Sequence, residues 1–356
     1  MQRVTIKDVA EKTGFSVPTV SKALSNKNGA VSPETRQHIL ETARRMGYKV
    51  NRVAQSLSRK EVVIGIAKPE GWPPFYGQIY NGIRGELEQL LNYNVSSITV
   101  EYPDDVSEEA LTEKFHALEE RNVDAVIICT DVFHRYSAVK SMQKKGILIA
   151  EVGNSVIPDA DVDVRVDSHL AGRLAGEYMG NIVPPRARAA VLVANKDMPD
   201  HIKKVAGFRE EFCRGGERSV TIAETHDVYE DAYTITQHLL ETEKELAGIY
   251  VATVNSEAVC RCISDLRRSD VKLLITDIHP ELSSFVEEGI LSASIFQNTV
   301  LQGRLATKLV YDQVISRNKA PVSLLVTPEI VLRSNYKQYI AKPYNDMAEA
   351  HMSVSE

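Results

Sequence analysis

From residue 62 onward, short apolar runs alternate with stretches of helical periodicity, and no other feature of the chain limits its fold as strongly. VVIGIA (62–67), SSITVEY (96–102), AVIICT (125–130) and ILIAEVG (147–153) form one series, and AAVLVAN (189–195), VTIAETH (220–226), GIYVAT (248–253) and KLLITDI (272–278) form another. Runs that are apolar at nearly every position suit strands covered on both faces, which calls for a parallel sheet flanked by helices. Two series predict two doubly wound α/β subdomains, with any small ligand held at the carboxyl ends of the strands. A chain of 356 residues with 43% hydrophobic residues has room and apolar material for two or three domains.

Several function classes lack their signatures. There is no G-x-x-x-x-G-K-[ST], no G-x-G-x-x-G after the first strand, no G-x-S-x-G and no H-E-x-x-H spacing among the nine histidines. Gly172 and Gly176 in GRLAG fall inside a helical stretch, where close packing explains them. Catalytic residues, a cofactor and a metal site are therefore not expected. The four cysteines are isolated or within apolar segments, and Cys260-x-Cys262 has no second pair to complete a zinc site. No run reaches the ~18 apolar residues of a membrane span. The opening MQRVTIKDVAEK has no apolar signal region, so a cytoplasmic protein with reduced thiols is expected.

The net charge of −6 conceals an uneven distribution. Residues 1–60 carry 12 Lys/Arg against 4 Asp/Glu, a balance of +8, leaving 30 against 44, or −14, for the rest. A basic head on an acidic body suits a polyanionic partner for the head, either nucleic acid or an anionic membrane surface. The helix pattern separates the two. Thr5 and Asp8 form a capping-box-like start, Val9 and Ala10 face inward, and Gly14 suits a left-handed stop. Ser16 reads as a second N-cap, with Pro18 tolerated in the first turn, where N–H groups have no intrahelical acceptor. Val20, Ala23 and Leu24 form its apolar stripe. A third helix opens at Ser32-Pro33-Glu34, turns Ile39, Leu40 and Ala43 inward, and stops at Gly47. Three short helices with a tight turn between the first two are a helix-turn-helix arrangement.

TIKDVAEKTGFSVPTVSKALSN and VSPETRQHILETARRMGYKVNRVAQSLS closely resemble the head of the lactose/galactose-repressor family of bacterial transcription regulators. The resemblance covers residues 4–59, including TVS at 19–21, GY at 47–48 and NRVAQSL at 51–57. It implies that the second helix enters the DNA major groove, with Val17, Pro18 and Lys22 at the base-reading positions. Val17 and Pro18 can press on a thymine methyl group, and Lys22 can reach O6/N7 of guanine without the bidentate fork of arginine. Thr5, Ser16, Ser21, Asn26, Thr35 and Tyr48 match phosphate-positioning residues. Thr5 and Ser16 also serve as caps, and Thr35 has a helix-start role as its alternative. Residues Asn51–Ser58 resemble the family's hinge helix, too short to stand alone and ordered when two subunits pair over the minor groove. Val53 and Ala54 suit the close contact between the paired helices, Asn51 and Ala54 are expected at the DNA, and Leu57 matches the wedge that opens a central base step; a packed linker residue is its other reading.

The body resembles the periplasmic sugar-binding fold used by the same family as an effector domain, most visibly in VDSHLAGRLAGEYM (166–179) and GILSASIFQNTVLQGRLA (289–306). The implied organisation is a helix-turn-helix domain at 1–49, a hinge helix and linker at 50–60, an effector-binding and dimerisation domain at 61–341 and a polar tail at 342–356. Within the body, the first subdomain takes about 61–163 and 293–324 and the second about 164–292 and 325–341, with crossings near 164, 292 and 325. Phe75, Tyr76, Lys204, Tyr229, Asn255, Asp277 and Gln297 match effector-pocket positions. An aromatic ring stacks on a sugar ring while Asp, Asn, Gln and Lys bridge vicinal hydroxyls. Each polar residue has a plainer role as its alternative: Asp277 capping the next helix, Lys204 as a solvated charge, Gln297 tethering the crossover, Tyr229 as a surface ring.

The resemblance implies a homodimeric regulator, most simply a repressor, that binds a near-palindromic double-stranded operator under allosteric control by a small molecule, a sugar or related metabolite. The apolar faces of the helices at 76–91 and 300–315 are available for dimerisation, and the tail lacks the leucine heptads of a tetramer-forming segment. The alternative is a sugar-binding receptor or transport component, against which the DNA-type head and the absent signal region count.

Overall fold

A computed structural model of the chain describes residues 4–24, 31–48, 61–70, 75–103, 106–129, 137–154, 156–318 and 320–340. The chain divides into a helical head that runs to Glu61 and an α/β body that begins at Val62.

In the head, α1 (Ile6–Thr13), α2 (Val17–Leu24) and α3 (Pro33–Arg45) close on a core of Val9, Ala10, Val20, Ala23, Ile39 and Ala43. Local chemistry sets each boundary. The Thr5 hydroxyl accepts from the Asp8 N–H at 3.4 Å while the Asp8 carboxylate accepts from the Thr5 N–H at 2.7 Å, a reciprocal capping box. Ser16 accepts from the Thr19 N–H at 3.3 Å and Ser32 from the Thr35 N–H at 3.2 Å. Gly14 ends α1 at φ +72°, a conformation that costs other residues a Cβ clash. Leu40, expected inward, is instead 42% exposed. Ile39 and Ala43, one turn apart, hold the inward line, and Leu40 is rotated about 100° from it.

The body contains two six-stranded sheets. The first has the order β11-β5-β4-β3-β1-β2, built from β1 (Val62–Pro69), β2 (Val95–Tyr102), β3 (Ala125–Ile128), β4 (Leu148–Val152), β5 (Val162–Val166) and β11 (Val322–Val326), all paired in parallel. The second has the order β12-β10-β9-β8-β6-β7, from β6 (Arg188–Val193), β7 (Ser219–Glu224), β8 (Leu246–Val251), β9 (Lys272–Thr276), β10 (Leu291–Phe296) and β12 (Glu329–Val331). Among the described strands, β12 alone runs antiparallel to its neighbour, β10. The predicted crossings near 164, 292 and 325 all fall inside strands. A chain can leave a sheet only where its ladder hydrogen bonds end, so the crossings follow β5 at Asp167, β10 at Gln297 and β11 between Val326 and Glu329.

Among the described residues, eight helices cover the long strands: α4 (Tyr76–Leu90), α5 (Glu108–Glu120), α6 (Ser137–Lys144), α7 (Ser168–Ile182), α8 (Pro199–Phe212), α9 (Tyr229–Thr242), α10 (Ser256–Asp265) and α12 (Thr299–Ser316). Two shorter ones, α11 (Ser283–Glu287) and α13 (Lys337–Ile340), complete the second lobe. Each lobe is keyed by one helix pair, α4 with α12 and α7 with α8. The apolar faces of α4 and α12 are thereby occupied within the chain: Ile79, Ile83, Val300, Ala306 and Val310 are buried. Backbones approach so closely that a Cβ on Gly82 would strike the Val300 carbonyl, and one on Gly303 the Ile79 carbonyl. In the second lobe, a Cβ on Gly172 would strike the Lys204 carbonyl and one on Gly207 the His169 carbonyl. The two crossing helices are also capped alike, Asp167 accepting from the Leu170 N–H at 3.0 Å and Asn298 from the Leu301 N–H at 3.3 Å.

Candidate effector site and DNA-facing helix

A cavity of about 530 Å³ lies at the carboxyl ends of both sheets and is lined from both lobes. All seven pocket residues expected from the sequence reach it: Phe75 and Tyr76 from the first lobe, and Lys204, Tyr229, Asn255, Asp277 and Gln297 from the second lobe and its crossing segment. Phe75 and Tyr76 meet edge to face, their ring centroids 5.0 Å apart. Gly153 leaves room for this arrangement, since a Cβ there would fall 3.2 Å from the Phe75 ring and 2.9 Å from Ile79. Asn154 donates to the Tyr76 hydroxyl at 2.9 Å and fixes the second ring.

The polar wall is built on backbone turns at strand ends. His226 and Asp227 after β7, Asn255 after β8, Asp277 after β9 and Asn298 after β10 all have φ between +52° and +63°. Non-glycine residues held in this region concentrate at ligand sites, where surrounding contacts enforce them. Asp277 accepts from the Gln297 backbone N–H and from its side-chain amide, both at 2.8 Å, and Gln302 donates to the Gln297 carbonyl at 2.9 Å. Asp277 therefore grips the crossing segment instead of capping a helix, and Gln297 is both tether and cavity wall. Lys204 is 6% exposed, not a solvated charge, and donates from Nζ to the Ala252 carbonyl at 3.1 Å. Burial pulls its pKa down, opposed by the charges of Asp200, Asp277 and Asp227. Tyr229 stands at the rim, 39% exposed.

Sequence reasoning missed Asn154, Asp200, His201, Asp227 and Thr253. Asp200 and His201 lie four and three residues before Lys204 on α8, hence on the same helix face. Burial, with the Lys204 charge beside it, pushes the His201 imidazole down to about 4, so the ring is neutral near neutral pH. Asp227 accepts from the Thr253 hydroxyl at 2.6 Å. Together these groups offer an aromatic wall on one side and a fan of carboxylates, amides and a hydroxyl on the other.

In the head, Val17, Pro18, Ser21 and Lys22 share one stripe of α2, opposite the buried Val20 and Ala23. Ser16, Val17, Pro18 and Lys22 are exposed. Thr5 is exposed within its capping box, while Thr35 and Tyr48 are half-buried. Asn26, Asn51, Ala54 and Leu57, and with them the hinge segment, lie outside the described residues.

A helix-turn-helix head ahead of a two-lobed body with a cleft at its strand ends defines a ligand-responsive DNA-binding regulator. Residues 5–51 match the profile of the bacterial regulatory proteins of the lacI family, and residues 64–318 match that of the periplasmic binding protein domain. The chain belongs to the lacI family and is a DNA-binding transcriptional regulator with an effector domain of periplasmic-binding-protein type. It is 26% identical over 259 residues to catabolite control protein A of Priestia megaterium, covering 70% of this chain and 74% of that one. It is similarly 26% identical over 250 residues to the transcriptional regulator DegA of Bacillus subtilis, 69% of each. The fold is shared with a solute-binding protein of Burkholderia graminis solved with D-arabinose, at a TM-score of 0.71 and 17% identity, over 79% of this chain and 98% of the other.

Proposed function

We propose that the protein is a cytoplasmic homodimeric repressor that grips a near-palindromic operator and responds to a sugar or related polyol held in the cleft. Two α2 helices enter successive major grooves, with Val17, Pro18 and Lys22 at base edges and Thr5, Ser16, Ser21, Asn26, Thr35 and Tyr48 on phosphates. Paired hinge segments bring Asn51 and Ala54 to the minor groove and wedge Leu57 into the central step. The ligand favours one arrangement of the lobes, and that arrangement sets whether the hinges can pair. Linkage then requires DNA to change ligand affinity by the same factor.

One observation carries this reading: residues from eight separate segments converge on one cleft with an aromatic wall and a hydrogen-bonding wall. Two assays test it. Gel shifts across genomic fragments should show sequence-preferring binding that falls steeply with salt, since phosphate contacts displace counterions. A thermal-shift screen of sugars should give a stabilising ligand whose effect is lost in Asp277→Ala. Equal weak binding to every fragment, or a ligand effect indifferent to that substitution, contradicts the reading.

A further inference from the structure

We propose that the ligand is cationic, a polyhydroxylated molecule bearing a protonated amine. This rests on the reading of the cleft as the effector site and narrows what that site accepts.

The charged groups lining the cavity are unequal in number. Among the described residues, Asp200, Asp227, Asp277, Glu257 and Glu281 stand against one ammonium, that of Lys204, and two imidazoles, His201 and His279. Among the described residues, the first lobe contributes Phe75, Tyr76, Gln78 and Asn154 and no charge. Lys204 is poorly placed to anchor an anion, because it is buried, donates to the Ala252 carbonyl and stands among three aspartates. His201 supplies no second cation, since its ring stays neutral.

Helix N-termini are the usual alternative anion sites, and three helices of the second lobe begin at this cavity. Each carries its own carboxylate in the first turn: Asp200 in α8, Glu230 and Asp231 in α9, Glu257 in α10. A phosphate or carboxylate on the ligand would meet these acids where it needs donors.

Among the carboxylates, Asp200 has capacity to spare. Both oxygens of Asp277 are held by Gln297, and Asp227 Oδ1 by Thr253. Asp200 is 9% exposed, and among the described residues its buried Oδ1 has no hydrogen-bond partner; Lys203 Nζ approaches only to 3.9 Å. A buried carboxylate oxygen without a donor is costly, and an ammonium supplies one with compensating charge. The Asn255 amide nitrogen is likewise buried without an acceptor, which a ligand hydroxyl can provide. Phe75, Tyr76 and Tyr229 complete the site with ring faces that attract cations as well as sugar rings.

The test uses the full-length protein and stereochemically matched sets: glucose, glucosamine and glucose 6-phosphate, then galactose, galactosamine and galacturonate, measured by calorimetry under mildly acidic conditions. In at least one set the amine should bind at least about tenfold tighter than its neutral parent, the expected worth of a charge-assisted hydrogen bond. The anionic member should not bind. Asp200→Asn should remove the amine's advantage over its neutral parent, with a cooperative thermal unfolding transition showing that the variant is folded. A neutral or anionic member binding as tightly as the amine overturns the inference and leaves the effector reading standing. An amine preference untouched by Asp200→Asn overturns Asp200 as its source. If no member binds, the inference falls, and if no sugar then alters DNA affinity, the effector reading falls with it.

Discussion

The two lobes of the body share one construction and divide the chemistry between them. Each has a six-stranded sheet in the same order, a crossing helix capped by Asp167 or Asn298, and a glycine five residues past that cap. Superimposing the patterns puts Gly207 opposite Gly82, and Lys204 opposite Ile79, each three residues before its glycine. In one lobe that position is an apolar core residue, and in the other the buried cation of the cleft. Among the described residues, the first lobe presents two rings and amides to the cleft and the second every charge. Scaffold and function therefore sit on different residues of the same frame, and substitutions should separate them.

The largest separation is expected at the glycine keys. Gly303→Val and Gly172→Val each force two helix backbones apart and should cost about 3 kcal/mol or more of stability by denaturant unfolding. Only Gly172→Val displaces the Lys204 backbone, so ligand affinity should fall in that variant well beyond its stability loss. Equal ligand effects from both lobes would dissolve the distinction.

A pH series gives an intermediate effect of opposite sign in each lobe. In the first, burial raises the Glu151 carboxyl to about 7, against the pull of the Val156 and Ile157 N–H groups and Arg165. The native state thus keeps a proton that the unfolded chain releases near 4.5; this contribution is full below that value and lost as pH rises through about 7. Relative to Glu151→Gln, the wild type should lose on the order of 2 kcal/mol over that interval. In the second lobe, His201 is lowered from 6.5 to about 4, so its contribution is present above 6.5 and lost as pH falls. His201→Gln should flatten the acid side of the stability profile and leave the alkaline side alone.

The smallest expected effect lies on the stacking wall. Phe75→Ala should weaken ligand binding by about 1 kcal/mol, read by calorimetry, with little change in stability. A loss as large as that of Asp277→Ala would mean that the first lobe carries more of the recognition than its neutral wall suggests.

Much of this was legible in the chain. The eight apolar runs announced both sheets, and the head motif announced three helices with their caps. Four strands escaped notice because they lack continuous apolar character: VDVRV and VSLLV place polar residues between apolar ones, LSASIF carries small polar residues, and EIV spans three residues. Losing them moved the crossings. Every expected pocket residue reached the cavity, but Asn154 and Asp227 were passed over although the runs read as strands ended one residue before each. Asp200 and His201 were recoverable from helical spacing to Lys204. What no local pattern carried was the left-handed backbone at Asn255 and Asp277, which depends on contacts with distant segments.

The most direct test of a cleft that governs the head is the affinity of a selected operator duplex, by fluorescence anisotropy, with and without a stabilising ligand, for wild type and Asp277→Ala. Ligand should shift the wild-type Kd for DNA severalfold and leave the variant's Kd unmoved. An operator affinity indifferent to ligand in the wild type, or shifted equally in the variant, would contradict the account.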